Sequence, residues 1–275
     1  MRTVLIAALS CAAASAQAAV ATFTLEDGNS RAGIVNRNGM TTWFIDGGRD
    51  NVFISNFYAR IGAAGPEATL YDLIGVPAAT QPAPNMVRFA FTGPGLNALL
   101  EWELTGYAAG SARSMIRKSL ELSNAGADPL DVAVFDYTDF DIRFNQPAQR
   151  DQSVMTSRSR LVTTNADQPL RIVTSVGPQP DGWEISDFFS LYTKFFVDLD
   201  GPTTLSSLPA IGTPFPAVAG DNAFAFQWNR RLDPGESARF VQVARFAPVP
   251  APAIAPLLGG ALGLLAWRRA RRPQR

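Results

Sequence analysis

Short apolar runs separated by turn residues constrain the fold of this chain more than any other feature. The runs are rich in Val, Ile, Phe, Tyr, Trp and Thr, and Gly, Pro, Asn and Asp stand between them. This pattern is typical of β-strands joined by turns. The predicted strands are Ala21–Leu25, Thr41–Ile45, Val52–Ile61, Met86–Phe91, Leu99–Leu104, Ser114–Leu122, Leu130–Val134, Arg160–Thr164, Leu170–Thr174, Phe224–Trp228 and Ala238–Phe246.

The segment Ser186–Leu199 departs from the strand pattern. Its apolar residues have helical spacing, and they are Phe188, Leu191, Tyr192, Phe195, Phe196 and Leu199. Ser186 is the predicted N-cap, and Asp200-Gly201-Pro202 ends the helix. We expect one amphipathic helix packed on the sheets, and we interpret its aromatic stripe as core rather than as a ligand site.

The fold class that follows is mainly β, a single antiparallel β-sandwich with one amphipathic helix. Two small sandwiches divided near residue 110 are the alternative. The stretch Asp233-Pro234-Gly235-Glu236 favours a type II turn, because Pro suits its second position and Gly its third. We expect this turn to join the last two strands as a hairpin.

Composition excludes several kinds of site. The sequence contains no histidine and one cysteine, Cys11. Ser-His-Asp and Cys-His catalysis and most zinc or copper sites are therefore excluded. The sequence also lacks the G-x-S-x-G, P-loop and G-x-G-x-x-G motifs, so we expect a protein that is not an enzyme. Without Arg2 and the C-terminal arginines the body is mildly acidic, which argues against nucleic acid as a partner.

The stretch Leu130–Phe144 contains four aspartates, and the position of Asp136 raises a question of burial. If this stretch were one unbroken strand, Asp136 would point into the core, where an unpaired carboxylate is very costly. A bulge or bend, or a pairing arginine, would resolve the conflict. Alternatively, Asp136, Asp139 and Asp141 bind Ca²⁺, which prefers oxygen ligands. No other cofactor is expected.

A pair of glutamates flanks an aromatic residue in another predicted strand. Glu101 and Glu103 share one strand face and lie on either side of Trp102. Paired carboxylates beside an aromatic ring can serve a glycosidase. Two acids on the solvent side of an amphipathic strand are the commoner arrangement.

The N-terminus has the features of a secretory signal. Arg2 precedes an apolar stretch, and Ala16-Gln17-Ala18 fits the small-x-small cleavage pattern. We therefore divide the chain into a signal peptide (1–18), a β-sandwich body (19–247) and a tail (248–275). The Sec translocon is the expected partner in export.

The tail has three parts in a fixed order. They are the proline motif Val249, Pro250, Ala251, Pro252 and Ala253, the uncharged run Ile254–Trp267, and the cluster Arg268, Arg269, Arg271 and Arg272. We predict that the uncharged run is a single transmembrane helix, with the arginines on the cytoplasmic side. An amphipathic helix docked on the body is the alternative, but the run has no polar face.

This three-part tail resembles the PEP-CTERM sorting signal of Gram-negative bacteria that make exopolysaccharide. The resemblance implies that exosortase, a membrane-embedded transpeptidase, reads the motif and cuts near it. Ala251 departs from the best-known form, which has Glu between the prolines. The prolines themselves keep the motif extended and outside the helix.

The body resembles an uncharacterised domain found in PEP-CTERM proteins. The resemblance is carried by Trp43, Asp46, Gly47, Phe57–Arg60, Gly62, Gly65, Glu67, Leu120–Leu130, Tyr137–Asp141, Phe224–Trp228 and Leu232–Glu236. It implies a β fold and export, and no chemistry.

The resulting functional prediction is an exported protein of the cell surface or extracellular matrix. It would begin as an inner-membrane precursor sorted by exosortase, with a structural, adhesive or exopolysaccharide-associated role. The alternative is a secreted lectin or glycan-active enzyme on a β-sandwich, using Trp102, Glu101 and Glu103.

Overall fold

The structure, a computed structural model, describes residues 20–142, 150–165, 167, 169–196 and 202–249. Within these ranges the chain forms two antiparallel β-sheets and two short helices, which confirms the prediction of a mainly β sandwich. The predicted signal peptide, the run Ile254–Trp267 and the arginine cluster lie outside the described residues. No described helix has the length and apolarity that a membrane span requires.

The first sheet, called the groove sheet below, has eight strands among the described residues. In spatial order they are β1 (Thr22–Asp27), β2 (Ser30–Val35), β3 (Gly39–Ile45), β4 (Ile54–Ile61), β10 (Leu130–Asp139), β16 (Asn222–Leu232) and β14 (Gly182–Asp187), with β5 (Ala68–Thr69) paired to β4. Helix α1 (Leu70–Ile74) follows β5 directly.

The second sheet has nine strands within the same described ranges. Their spatial order is β15 (Pro214–Gly220), β11 (Asp151–Ser157), β12 (Arg160–Asn165), β13 (Leu170–Gly177), β17 (Ser237–Pro248), β9 (Ser114–Asn124), β8 (Leu96–Gly106), β7 (Met86–Thr92) and β6 (Ala78–Ala83). Since β8 and β9 are paired along their length, the chain is not divided near residue 110. β17 runs to Pro248, one residue past the predicted end of the body.

The main core lies between the two sheets and follows from alternation. On β8, Leu100, Trp102 and Leu104 are buried, while Glu101 and Glu103 face outward. Large side chains from both sheets meet here, among them Trp43, Phe57, Trp228 and Phe240. Such a core is what a single large sandwich without disulfides needs for stability.

A smaller core covers the outer face of the groove sheet. Helix α2 (Phe188–Phe196) buries Leu191 and Phe195 against Tyr58 and Tyr137 of the sheet. Leu205, in the segment after the helix, packs into the same cluster. The predicted helix is therefore confirmed, although the predicted cap is wrong. Ser186 lies in β14, and the Asp187 carboxylate caps the helix by accepting a hydrogen bond from the Ser190 amide at 3.0 Å.

The turn at Asp233–Glu236 forms where it was expected but does not make a hairpin. The Glu236 amide donates to the Asp233 carbonyl at 2.8 Å, and Gly235 has a φ of 79°, which favours glycine. β16 on one side of the turn belongs to the groove sheet, and β17 on the other side belongs to the second sheet. The turn is therefore a crossing between the two layers.

Candidate functional site

A cavity lined by aromatic rings lies on the outer face of the groove sheet, beside α2. We call it the aromatic groove, and its volume is about 610 Å³. It is lined by Phe53, Tyr58, Tyr192, Phe195 and Phe196 together with the polar residues Arg37, Asn38, Glu67, Thr69 and Asp72. Its size and its mixture of apolar walls with a few polar groups are those of a small-ligand site.

The rings of the groove come from two distant parts of the chain. Phe53 precedes β4 and Tyr58 lies within it, whereas Tyr192 and Phe196 are one turn apart on α2. The ring centroids of Tyr192 and Phe196 are 4.7 Å apart, and those of Phe196 and Tyr58 are 5.1 Å apart. Phe53 is 51% exposed, so an aromatic surface reaches from the covered sheet to solvent.

The polar side of the groove carries two carboxylates in different surroundings. Glu67 is buried, and it accepts hydrogen bonds from Arg60 Nη1 and, at 2.9 Å, from the Thr203 amide. Asp72 lies at the rim, where it pairs with Arg37 at 2.9 Å and accepts from the Thr69 hydroxyl at 2.8 Å. Burial raises the pKa of the Tyr58 hydroxyl, so this group stays neutral. The groove thus offers two hydrogen-bond acceptors, one cation and a neutral hydroxyl beside flat apolar faces.

The acidic pair Glu101 and Glu103 is not part of this site. Both lie on the outer face of the second sheet, where Glu101 pairs with Arg88 at 2.7 Å and Glu103 with Arg117 at 3.8 Å. Trp102 points the other way and is fully buried in the main core. The hypothesis of a carboxylate pair working beside Trp102 is therefore wrong, because alternation sends the ring to the opposite face of the strand.

Asp136 does point into the core, and its partner is a lysine. β10 runs unbroken past it, and Asp136 Oδ1 lies 2.5 Å from Lys118 Nζ, with both side chains at 0% exposure. Neither a bulge nor an arginine resolves the burial. Asp136 is not among the described aspartates whose carboxylates cluster with those of Asp139 and Asp141.

Asp139 and Asp141 meet a residue that the sequence analysis missed. Carboxylate oxygens of Asp139, Asp141 and Asp221 all lie within 4.8 Å of one another. Asp221 is brought there because β16, which begins directly after it, pairs with β10. Calcium binding at Asp139 and Asp141 stays a prediction.

Calorimetric titration of the chelated protein with Ca²⁺ tests that prediction. We expect heat of binding in the natural protein and none in an Asp221→Asn variant, because Ca²⁺ is held by carboxylate oxygens. Asp128→Asn, which changes an exposed carboxylate elsewhere, is the control. A natural protein that gives no heat rejects the calcium site.

The proline motif is described at one residue. The Val249 amide donates to the Pro169 carbonyl at 2.6 Å, at the end of β17. Pro250, Ala251, Pro252 and Ala253 lie outside the described residues, so sorting by exosortase stays a prediction.

Comparisons with known proteins identify the fold. No family model and no curated protein matches the chain. A galactose mutarotase related enzyme from Lactobacillus acidophilus superposes with a TM-score of 0.55 at 6% identity, over 83% of this chain and 98% of that one. The chain has the fold of this group. A candidate aldose 1-epimerase from Escherichia coli gives 0.52 at 10% identity, over 84% and 100% of the two chains. A galactose mutarotase-like protein from Lactobacillus casei gives 0.51 at 8% identity, over 82% and 100%.

These likenesses correct the expectation that the protein is not an enzyme. That expectation was drawn from the absence of familiar catalytic motifs, and it is wrong because solved structures described as sugar epimerases and mutarotases share this fold. At 6–10% identity the likeness shows the fold alone.

Proposed function

We propose that the protein is a carbohydrate-active enzyme that binds a saccharide in the aromatic groove. The observation that carries the proposal is the groove itself, with exposed and half-buried rings beside two carboxylates and an arginine. The C–H bonds on one face of a pyranose ring pack well against an aromatic face. Its hydroxyl groups can donate to Glu67 and Asp72 and accept from Arg37. The fold supports the proposal, since it is shared with proteins described as galactose mutarotases and aldose 1-epimerases.

Acid–base chemistry in the groove would depend on carboxyl groups or tyrosines. Opening an aldose ring requires a base for the anomeric hydroxyl and an acid for the ring oxygen. The sequence contains no histidine, so Glu67 and Asp72 are the groove residues suited to these roles. The Arg60 contact fixes the position of Glu67, while Asp72 is more accessible at the rim.

Truncating Tyr192 to alanine tests where the sugar binds. We expect affinity for galactose, glucose or their oligosaccharides to fall about fivefold to tenfold, because the variant loses one stacking face worth about 1 kcal/mol. Isothermal titration calorimetry measures the change. Tyr107→Ala is the matched control, since Tyr107 is an aromatic residue 43% exposed outside the groove. Equal losses in both variants would reject the groove as the binding site.

Polarimetry of freshly dissolved α-galactose or α-glucose tests turnover at the same site. We expect the protein to speed the approach to anomeric equilibrium, and Asp72→Asn to remove most of the effect. Asp128→Asn is the control, because Asp128 is exposed and does not line the groove. Binding without any acceleration, and without hydrolysis of oligosaccharides, would overturn the catalytic part of the proposal and leave the binding part.

Export is part of the proposal and rests on sequence features outside the described residues. The signal peptide would take the body across the inner membrane, and the tail would hold it there until exosortase acts. A saccharide site on the exported body would then meet exopolysaccharide directly.

A further inference from the structure

A second cavity lies on the same outer face as the groove and is rich in arginine. Its volume is about 350 Å³, and we call it the arginine cavity. The residues that matter for its chemistry are Arg60 of β4, Asp131 and Ala133 of β10, and Asn229, Arg230 and Arg231 of β16. Three of its lining side chains are cations and one is an anion.

Strand register produces the shape of the cavity. Ala133 pairs with Arg60 on one side and with Asn229 on the other, so these three side chains form one row across the sheet. The small Ala133 in the middle of the row leaves a depression between two longer side chains. In the next row Asp131 pairs with Arg231.

The guanidinium of Arg60 is only half used by the protein. Within the described ranges, both of its hydrogen bonds leave from Nη1, one to Glu67 and one to the Thr203 carbonyl at 3.0 Å. Arg60 is 8% exposed, and its Nε has no partner among the described residues. The edge formed by Nε and Nη2 is the fork with which arginine binds a carboxylate in a bidentate manner. A buried donor without a partner is costly, so a ligand that satisfies it is favoured.

The surrounding charges can admit an anion. Arg230 pairs with Asp181 at 3.0 Å and Arg231 with Asp131 at 3.3 Å, and all four side chains are substantially exposed. Exposed ion pairs are weak and exchange readily. The Asn229 side-chain oxygen accepts from Gln227, which leaves its amide nitrogen as a donor. The guanidinium carbon of Arg60 lies 5.6 Å from the centroid of the Phe135 ring, and this contact keeps the guanidinium plane in place.

We propose that the arginine cavity binds the carboxylate of an acidic sugar, a uronic acid. The planar, two-oxygen carboxylate matches the Nε–Nη2 fork of Arg60, and Arg231 and Asn229 supply further donors around it. The site is distinct from the aromatic groove. Arg60 lines the cavity, whereas its partner Glu67 lines the groove, so the buried ion pair stands between the two.

Titration with galacturonate and with galactose, a matched acidic and neutral pair, tests the proposal. Arg60→Lys keeps the cation next to Glu67 but lacks the fork, and we expect it to weaken galacturonate binding about tenfold. Galactose binding should not change in Arg231→Gln, because Arg231 lines the cavity and not the groove. Tyr192→Ala should have the opposite effect, lowering galactose affinity and leaving galacturonate bound in the cavity. Failure of the groove and failure of the cavity are thus distinguishable.

Three further measurements complete the test. Thermal melting checks that Arg60→Lys is folded, and Arg231→Gln, at a side chain 63% exposed, should weaken galacturonate about threefold without affecting the fold. Inorganic sulfate serves as a competitor. If sulfate displaces galacturonate only weakly, the result supports a site for a uronic acid. If sulfate binds as tightly as galacturonate, the cavity accepts any oxyanion and the proposal is overturned. Equal affinity for galacturonate and galactose in the natural protein also overturns the proposal.

Discussion

Replacing Lys118 with methionine should lower the free energy of unfolding by about 3–5 kcal/mol. Lys118 and Asp136 lie between the two sheets, both fully buried, with 2.5 Å between Nζ and Oδ1. Methionine fills most of the lysine volume, so the loss would come from the charge and not from a cavity. Asp136 would be left as a buried carboxylate without a cation, which is among the most costly arrangements in a protein core.

The surroundings of Lys118 explain why it can be buried at all. Its ammonium donates to the Ser55 hydroxyl at 2.8 Å and lies 4.9 Å from the Phe57 ring centroid and 5.5 Å from that of Trp102. Burial lowers the pKa of Lys118 and raises that of Asp136, while the contact between them opposes both changes. The pair is therefore interdependent, and neither member is stable in the core alone.

A double-mutant cycle separates this interdependence from simple loss of packing. We expect Lys118→Met with Asp136→Asn to recover most of the stability lost by Lys118→Met alone, because no buried charge remains. Urea unfolding followed by tryptophan fluorescence at pH 7 gives the four free energies, those of the natural protein, Lys118→Met, Asp136→Asn and the double variant. Losses that add in the double variant would contradict a direct ion pair.

Much of the architecture could be predicted from local pattern. The predicted strand Leu99–Leu104 lies inside β8, and Thr41–Ile45 lies inside β3, because alternating apolar residues mark a sheet face wherever a core covers it. β11 was missed because it is rich in Ser, Thr and Gln, and its pairing comes from the neighbouring strands. Local pattern also does not predict which strands pair with each other. The turn at Asp233–Glu236 fixes the local bend, but not the sheet that the next strand joins.

The aromatic groove was harder to predict, because it also depends on which distant segments pack together. The apolar spacing of Ser186–Leu199 specifies a helix, yet it does not show which side of the aromatic stripe is covered. Leu191 and Phe195 are buried, whereas the rings of Tyr192 and Phe196 are only partly buried and remain accessible in the groove. The sequence does contain a signal for the buried Lys118–Asp136 pair. Lys118 occupies an inward position of β9, between Ile116 and Leu120, just as Asp136 does in β10.

Asp151 should make the protein less stable as the pH rises from about 4 to about 7. Burial raises the pKa of its carboxyl from 3.8 to about 7, and the nearby charges of Asp141 and Asp221 add to this effect. Hydrogen bonds from the Ile142 amide and the Asn165 side chain oppose it only in part. Below pH 4 the carboxyl is protonated in both states. Between pH 4 and 7 it ionises in the unfolded chain alone. Ionisation favours the unfolded state, so the free energy of unfolding falls progressively over this range.

The loss can reach about 4 kcal/mol, since each unit of pKa difference corresponds to about 1.4 kcal/mol. Asp151→Asn cannot ionise, so we expect its stability relative to the natural protein to rise steadily over this pH range and to level off above pH 7. Urea unfolding at several pH values, in the presence of a chelator, measures the difference. Asp128→Asn, at an exposed carboxyl, should follow the natural protein at every pH. A constant difference between Asp151→Asn and the natural protein would show that Asp151 ionises alike in both states.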